Sequence, residues 1–232
     1  MLLLLPKGRD RFSLTGPCSD RGTARPAGRL TAVTDDREPA LSRYHDRLPI
    51  GQRLPTGSLD SPFVGFEPPL TMKPLEQMLV PEEPRSGERD PSECFHCGPG
   101  REQAIWADEH WHVGEHSQTG LPYTAGLAPN AHLRLDEMTP DLLASFGDVV
   151  QRLAGAIQGL DSVARTHFSR WGDGSAHFHL HFLARPLGMM QGRGAMLAFW
   201  DDVLPPLEDD LRLEHRRQVA TALAEGGGQA RL

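Results

Sequence analysis

The sequence predicts an α+β domain behind a disordered N-terminal leader, and three stretches carry that expectation. Residues 176–184 alternate histidine and apolar side chains with the period of two that a half-buried strand requires. Residues 140–158 place Leu142, Leu143, Phe146, Val149, Val150, Leu153 and Ile157 at the spacing of three and four that marks one face of a helix. Residues 1–87 are rich in Pro, Gly, Arg and Ser, as in Gly22-Thr23-Ala24-Arg25-Pro26-Ala27-Gly28-Arg29, and sustain neither period.

The opening Met1-Leu2-Leu3-Leu4-Leu5-Pro6 is apolar for too few residues to form the ~7–15-residue core of a secretory signal. No segment approaches the ~18 apolar residues of a membrane span, so a soluble, cytoplasmic protein is expected, with no membrane partner. Ten Lys/Arg against eight Asp/Glu precede Met72, so the net −7 of the chain becomes −9 after it. An acidic folded part disfavours broad binding to nucleic acid, which needs clustered cations to displace phosphate counterions. Met72 and Met78 are alternative starts, and residues 1–71 are expected to be dispensable.

Residues 88–188 read as the chemical domain. Ala104-Ile105-Trp106 and Trp111-His112-Val113 are expected strands around an Asp108-Glu109 turn, and 121–129 a further strand. Thr139 is placed to cap the helix, with Pro140 at its first position, Asp141 at the positive end of the dipole and Gly159 as its stop. Residues 163–169 form the next strand and Gly172-Asp173-Gly174 a tight turn into the histidine strand. Residues 189–232 form a flexible loop, then a terminal helix on Leu207, Leu211, His215, Val219 and Leu223 that frays at Gly226-Gly227-Gly228. Asp201 and Asp202 are read as solvated or capping carboxylates.

Alternation sends His177, His179 and His181 to one side of their strand and Phe178, Leu180 and Phe182 to the other. Three imidazoles on one face are costly to bury without partners, which points to a chemical use. Cys94-Phe95-His96-Cys97-Gly98 spaces two thiolates so that both reach one tetrahedral ion, although the spacing alone leaves two free thiols or a redox pair open. No His-x-Glu precedes Cys94, which sets aside a zinc deaminase.

The run His177-Phe178-His179-Leu180-His181-Phe182-Leu183 resembles the His-φ-His-φ-His-φ-φ signature of the histidine triad superfamily of nucleotide hydrolases and transferases. That resemblance covers roughly residues 94–186. It implies an antiparallel sheet with the long helix across one face, a small-molecule nucleotide substrate and a homodimer. It assigns covalent attack on a nucleotide phosphorus to the middle histidine, His179, with His181 as a phosphate-side neighbour.

The zinc-containing branches of the superfamily join two cysteines to a histidine before the helix and to the first triad histidine. The matching residues are Cys94, Cys97, His132 and His177, a closed set that implies one structural zinc per chain. His96, His110, His112 and His116 are spare histidines, ranked below His132 on resemblance.

Ser175 stands near the family's leaving-group position, Asp108 near its ribose-binding acid, and Arg185 or Arg170 is a candidate cation for phosphoryl oxygens. The family's upstream asparagine is replaced by the stretch His167-Phe168-Ser169-Arg170-Trp171, which leaves a non-catalytic nucleotide-binding module as the alternative. A hexose-phosphate uridylyltransferase ranks lower, because those proteins are much longer and usually carry Pro where Phe178 stands.

Overall fold

The computed structural model describes residues 42–50, 66–67, 71–72, 82–116 and 118–232. Six strands form one sheet: β1 (Trp106–Ala107), β2 (Trp111–Glu115), β3 (Thr124–Pro129), β4 (Val163–Ser169), β5 (Leu180–Pro186) and β6 (Gln229–Ala230). Their order is β4-β5-β3-β2-β1-β6, and every neighbouring pair is antiparallel. Besides the single turns Arg43–Asp46 and Pro99–Glu102, three longer helices are found among the described residues: α1 (Pro140–Gln158), α2 (Met196–Val203) and α3 (Asp209–Glu225).

The start of α1 follows from local chemistry. The Thr139 hydroxyl accepts the Leu142 amide at 3.3 Å, a cap worth about 1 kcal/mol, and Pro140 opens the first turn where no N–H is needed. Leu142, Val149, Leu153 and Ile157 then pack on Trp111, Leu127, Phe178, Leu180 and Phe182 to form the main core. Trp111 also donates its indole N–H to the Ser145 hydroxyl at 2.9 Å, which fixes the helix along the sheet. Leu143, expected on that face, is half exposed instead, because the buried stripe is narrower than the apolar one.

Val219, Ala220 and Leu223 of α3 enter the same core, so residues 189–232 share the sheet with residues 88–188. Glu115 on β2 pairs with Arg212 and Arg216 of α3 and ties that helix to the sheet. After α3 the expected fray does not occur. Gly227 and Gly228, both at positive φ, turn the chain back, and Gln229–Ala230 pair with β1 as an edge strand. A Cβ on Gly228 would overlap the Trp106 indole, so only glycine permits that approach.

The expected strand 176–184 is displaced in sequence. Strand pairing runs from Leu180 to Pro186, and ten residues rather than a tight turn separate it from β4. Before Leu180 the backbone finds partners outside the sheet. Ala176 N–H donates to Ser86 O at 3.1 Å, Ser86 N–H to Gly174 O at 3.1 Å, and Phe178 N–H to Leu133 O at 2.7 Å. Side chains nonetheless keep alternating, so Phe178, Leu180 and Phe182 face α1 and α3 while the histidines face away.

Three described parts of the expected leader are folded. Tyr44, in a single helical turn Arg43–Asp46, is 1% exposed and packs with Leu207 and Leu211. Its hydroxyl donates to Gly120 O at 2.9 Å, His45 donates to Leu187 O at 2.6 Å, and Arg47 donates to the carbonyls of Gly120, Pro205 and Pro206. Phe66–Glu67 pairs with Thr71–Met72, and Ser86 bridges to Ser175. The remainder of the predicted leader disorder lies outside the described residues. The composition of 1–87 concealed single anchoring residues, because periodicity detects whole elements and not one buried tyrosine. Among the described residues no helix is long and apolar enough to cross a membrane.

Candidate functional site

The sheet face opposite α1 and α3 carries the chemistry. The strand register sets Gly126 of β3 beside His181 and Gly114 of β2 beside Gly126, so bare backbone adjoins the last triad histidine. At one end of this face Leu183 packs with Leu121, Leu197 and Leu204, which seats α2 there. At the other end Cys94-Phe95-His96-Cys97 folds into a knuckle, with the Cys97 and Gly98 amides both donating to Cys94 O at 3.2 Å.

Cys94, Cys97, His132 and His177 come together, their donor atoms all within 4.8 Å of one another. Cys94 Sγ and Cys97 Sγ each lie 3.4 Å from His177 Nδ1, and Cys97 Sγ lies 3.3 Å from His132 Nδ1. A tetrahedral zinc with Zn–S near 2.3 Å and Zn–N near 2.0–2.1 Å requires S···N edges of about 3.5 Å, so the donor set fits such an ion. His177 Nε2–H donates to Pro129 O at 3.0 Å, which leaves Nδ1 unprotonated and aimed at the sulfurs. Burial, with Cys94 alongside, pushes the Cys97 thiol up to about 11, a shift that a bound cation reverses. Gly87 closes over this cluster at φ +75°; a Cβ there would come within 2.7 Å of Cys94 Cβ and 2.8 Å of His132 Cε1.

Beside this cluster stands His179, buried, with Nδ1 2.8 Å from the His177 carbonyl. A carbonyl only accepts, so Nδ1 carries the proton and Nε2 keeps its lone pair. Burial lowers the His179 pKa, and the charge of Arg170 lowers it further, so the ring is neutral near pH 7. His181 is pushed down to about 4, mainly by burial and then by His179 and His116. His96 stacks on His179 with ring centroids 4.6 Å apart, while Trp171 and His116 flank His181 at 4.8 and 5.7 Å. Trp171 is 50% exposed and offers the rest of its ring to solvent.

Three expected substrate contacts are committed elsewhere. The Ser175 hydroxyl donates to Ser86 O at 3.4 Å, and the residue serves the bridge that holds 86 against 175. Asp108 Oδ1 accepts the amides of His110 and Trp111 at 2.8 and 2.7 Å, which makes it the turn residue between β1 and β2. Arg185, four residues along β5 from His181, donates to Met189 O at 3.1 Å and holds the following loop. Asp201, expected as a solvated or capping group, is partly buried and accepts the Thr119 hydroxyl and the Gly120 amide at 2.6 and 2.9 Å.

Residues that sequence reasoning did not place in the site lie against it: His96 on His179, Trp171 on His181 and Gly87 on Cys94 and His132. Of these only His96 carried a signal, its position inside the cysteine pair; Arg170, the other candidate cation, lies with its guanidinium 5.7 Å from the Phe178 ring centroid. A cleft of about 460 Å³ between α1 and α3, lined by Gly155, Gly159, Ala222 and Gly226 among others, lies on the helical side of the sheet, and no imidazole or thiol lines it.

No family model and no curated protein matches the chain. Among solved structures, similar ones include a Zn-bound histidine triad family protein from Mycobacterium smegmatis, at 21% identity and TM-score 0.43 over 58% of this chain and 95% of that one. A histidine triad protein from Marinobacter aquaeolei VT8 is similar at 13% identity and TM-score 0.44 over 55% and 93% of the two chains. A HIT family hydrolase from Legionella pneumophila Philadelphia 1 is similar at 20% identity and TM-score 0.33 over 43% and 99%.

Proposed function

We propose that this protein is a nucleotide hydrolase or nucleotidyl transferase of the histidine triad type, with His179 as its nucleophile. The substrate is a nucleoside phosphoramidate, a dinucleoside polyphosphate or a similar nucleotide conjugate. The observation that carries the reading is the hydrogen bond from His179 Nδ1–H to the His177 carbonyl, which leaves Nε2 unprotonated and available as a nucleophile on the histidine face of the sheet.

In the first step His179 Nε2 attacks the α-phosphorus; a P–N bond forms as the bond to the leaving group breaks, and the leaving group departs with the bonding pair and takes up a proton. Water then attacks the same phosphorus and gives up a proton. The P–O bond forms, the P–N bond breaks, and the lone pair returns to Nε2. Transfer follows the same course with another acceptor in place of water. Arg170, whose charge is felt at His179, offsets the negative charge that builds on the phosphoryl oxygens.

Cys94, Cys97, His132 and His177 would hold a zinc ion whose bound chemistry is structural, since four protein ligands leave no position for water. Through His177 and the carbonyl it presents, that cluster sets the geometry of His179.

Intact-protein mass spectrometry after acid-free quenching, across nucleoside phosphoramidates, dinucleoside polyphosphates and nucleotide sugars, tests the proposal. A nucleotidyl adduct and product from the wild type, both absent in His179→Ala, are expected. Product formation that survives in His179→Ala overturns the assignment. Binding with neither adduct nor product selects the non-catalytic module.

A further inference from the structure

We infer that His96, carried between the two knuckle cysteines, is a positioning residue that fixes the ring plane of His179 by stacking on it. This rests on the reading of His179 as nucleophile. The Nδ1 hydrogen bond to the His177 carbonyl restrains one edge of the imidazole and leaves the ring free to tilt about that contact. A nucleophilic lone pair lies in the ring plane, so tilt swings Nε2 off its line of attack.

His96 supplies the missing restraint. Its ring lies 4.6 Å from that of His179 and 26° from parallel, an offset stack, and it meets His177 edge-on at 5.5 Å. Phe95 also meets the His96 ring edge to face at 5.5 Å. Phe95 is itself held by the close approach of Gly100, where a Cβ would come within 2.7 Å of the Phe95 ring.

Chain placement explains why the knuckle is suited to this. His96 is one residue from Cys97 and two from Cys94, and in the turn that brings both sulfurs to His177 its ring lies against His177 and His179. The metal cluster and the nucleophile therefore meet in one side chain that touches neither metal nor phosphorus.

Three variants, each checked for metal content, separate orientation from bulk: His96→Ala, His96→Leu, which fills the space without a π face, and His96→Phe, which restores the stack. Two readouts are taken. The first is kcat and KM for a substrate that labels His179. The second is the tautomer of His179 by long-range ¹H–¹⁵N correlation, which requires no turnover.

His96→Ala and His96→Leu are expected to lower kcat by about tenfold with KM within about twofold, and His96→Phe to recover most of the loss. Without the stack the ring can tilt far enough to leave the His177 carbonyl part of the time, so the single Nδ1–H tautomer is expected in the wild type and His96→Phe, and a mixture in the other two. Equal kcat and tautomer in all four proteins, or Leu and Phe behaving alike, overturns the inference. A wild type with one tautomer but no adduct and no turnover refutes the nucleophile reading instead, and leaves the stacking effect measured by the tautomer alone.

Discussion

A single atom decides much at Gly87. Its φ of +75° is open to glycine and strained for other residues, and the space where a Cβ would sit is already taken by Cys94 and His132. Gly87→Ala must push one of those two donors aside, and S···N edges of 3.3–3.4 Å leave little room for that. We expect the substitution to weaken metal retention at least tenfold against a competing chelator and to lower the thermal midpoint. Unchanged metal content and midpoint would mean that the cluster is not held closed by this approach. Gly87 was invisible in the sequence because a glycine in a Gly-rich and Pro-rich stretch carries no periodic signal, whereas the cysteines and His177 that it covers announced themselves by spacing.

Elements were legible where one local rule governs them. Helix α1 was readable because a cap, a proline and seven spaced apolar residues agree over nineteen positions. The triad segment was readable in its alternation and not in its pairing. Partners for 176–179 are Ser86 and Leu133, distant in sequence, so no local pattern encodes them. Among the candidate site residues, the four that could hold a metal were legible from spacing and family resemblance, while Trp171 meets His181 only because of where the ten-residue connection carries it.

Helix α3 supports a pH prediction. His215, expected on its apolar stripe, is buried and donates Nδ1–H to Pro122 O at 2.7 Å. Burial lowers its pKa from the ordinary 6.5, against opposing contributions from that hydrogen bond, Glu214 and Asp161. The unfolded chain therefore binds the proton first as pH falls. Stability from this group is fully present above about 6.5 and is lost as pH drops from there through the folded value. His215→Gln, which keeps a donor toward Pro122 and does not titrate, should show a smaller drop in denaturation midpoint between pH 7.5 and 5.5 than the wild type. Equal drops would place the acid sensitivity on the other buried histidines.

At the scale of the molecule, the charge and composition break near residue 72 suggested a chain in two parts, a dispensable leader and a working domain. Packing contradicts that division for residues 42–50. Tyr44 fills the cluster made by Leu207 and Leu211, and Arg47 and Tyr44 satisfy the carbonyls of Gly120, Pro205 and Pro206, joining the loop before β3 to the segment between α2 and α3. Removing them exposes apolar surface and orphans buried carbonyls at once, and loss of a buried aromatic costs about 3–5 kcal/mol. The segment bonds Leu187 just after β5 and packs Leu48 beside Leu183, but none of its hydrogen bonds goes to a triad histidine or to the knuckle, so the penalty is expected on stability and not on chemistry. A chain beginning at Met72 should therefore melt roughly 6–20 °C below the full chain while keeping its kcat at low temperature, since 1 kcal/mol shifts the midpoint by about 2–4 °C at this size. Tyr44→Ala in the full-length protein should reproduce most of that shift. If both proteins melt with the wild type, the anchor contributes nothing and residues 1–71 are dispensable after all; if kcat falls at low temperature, the anchor reaches the histidine face.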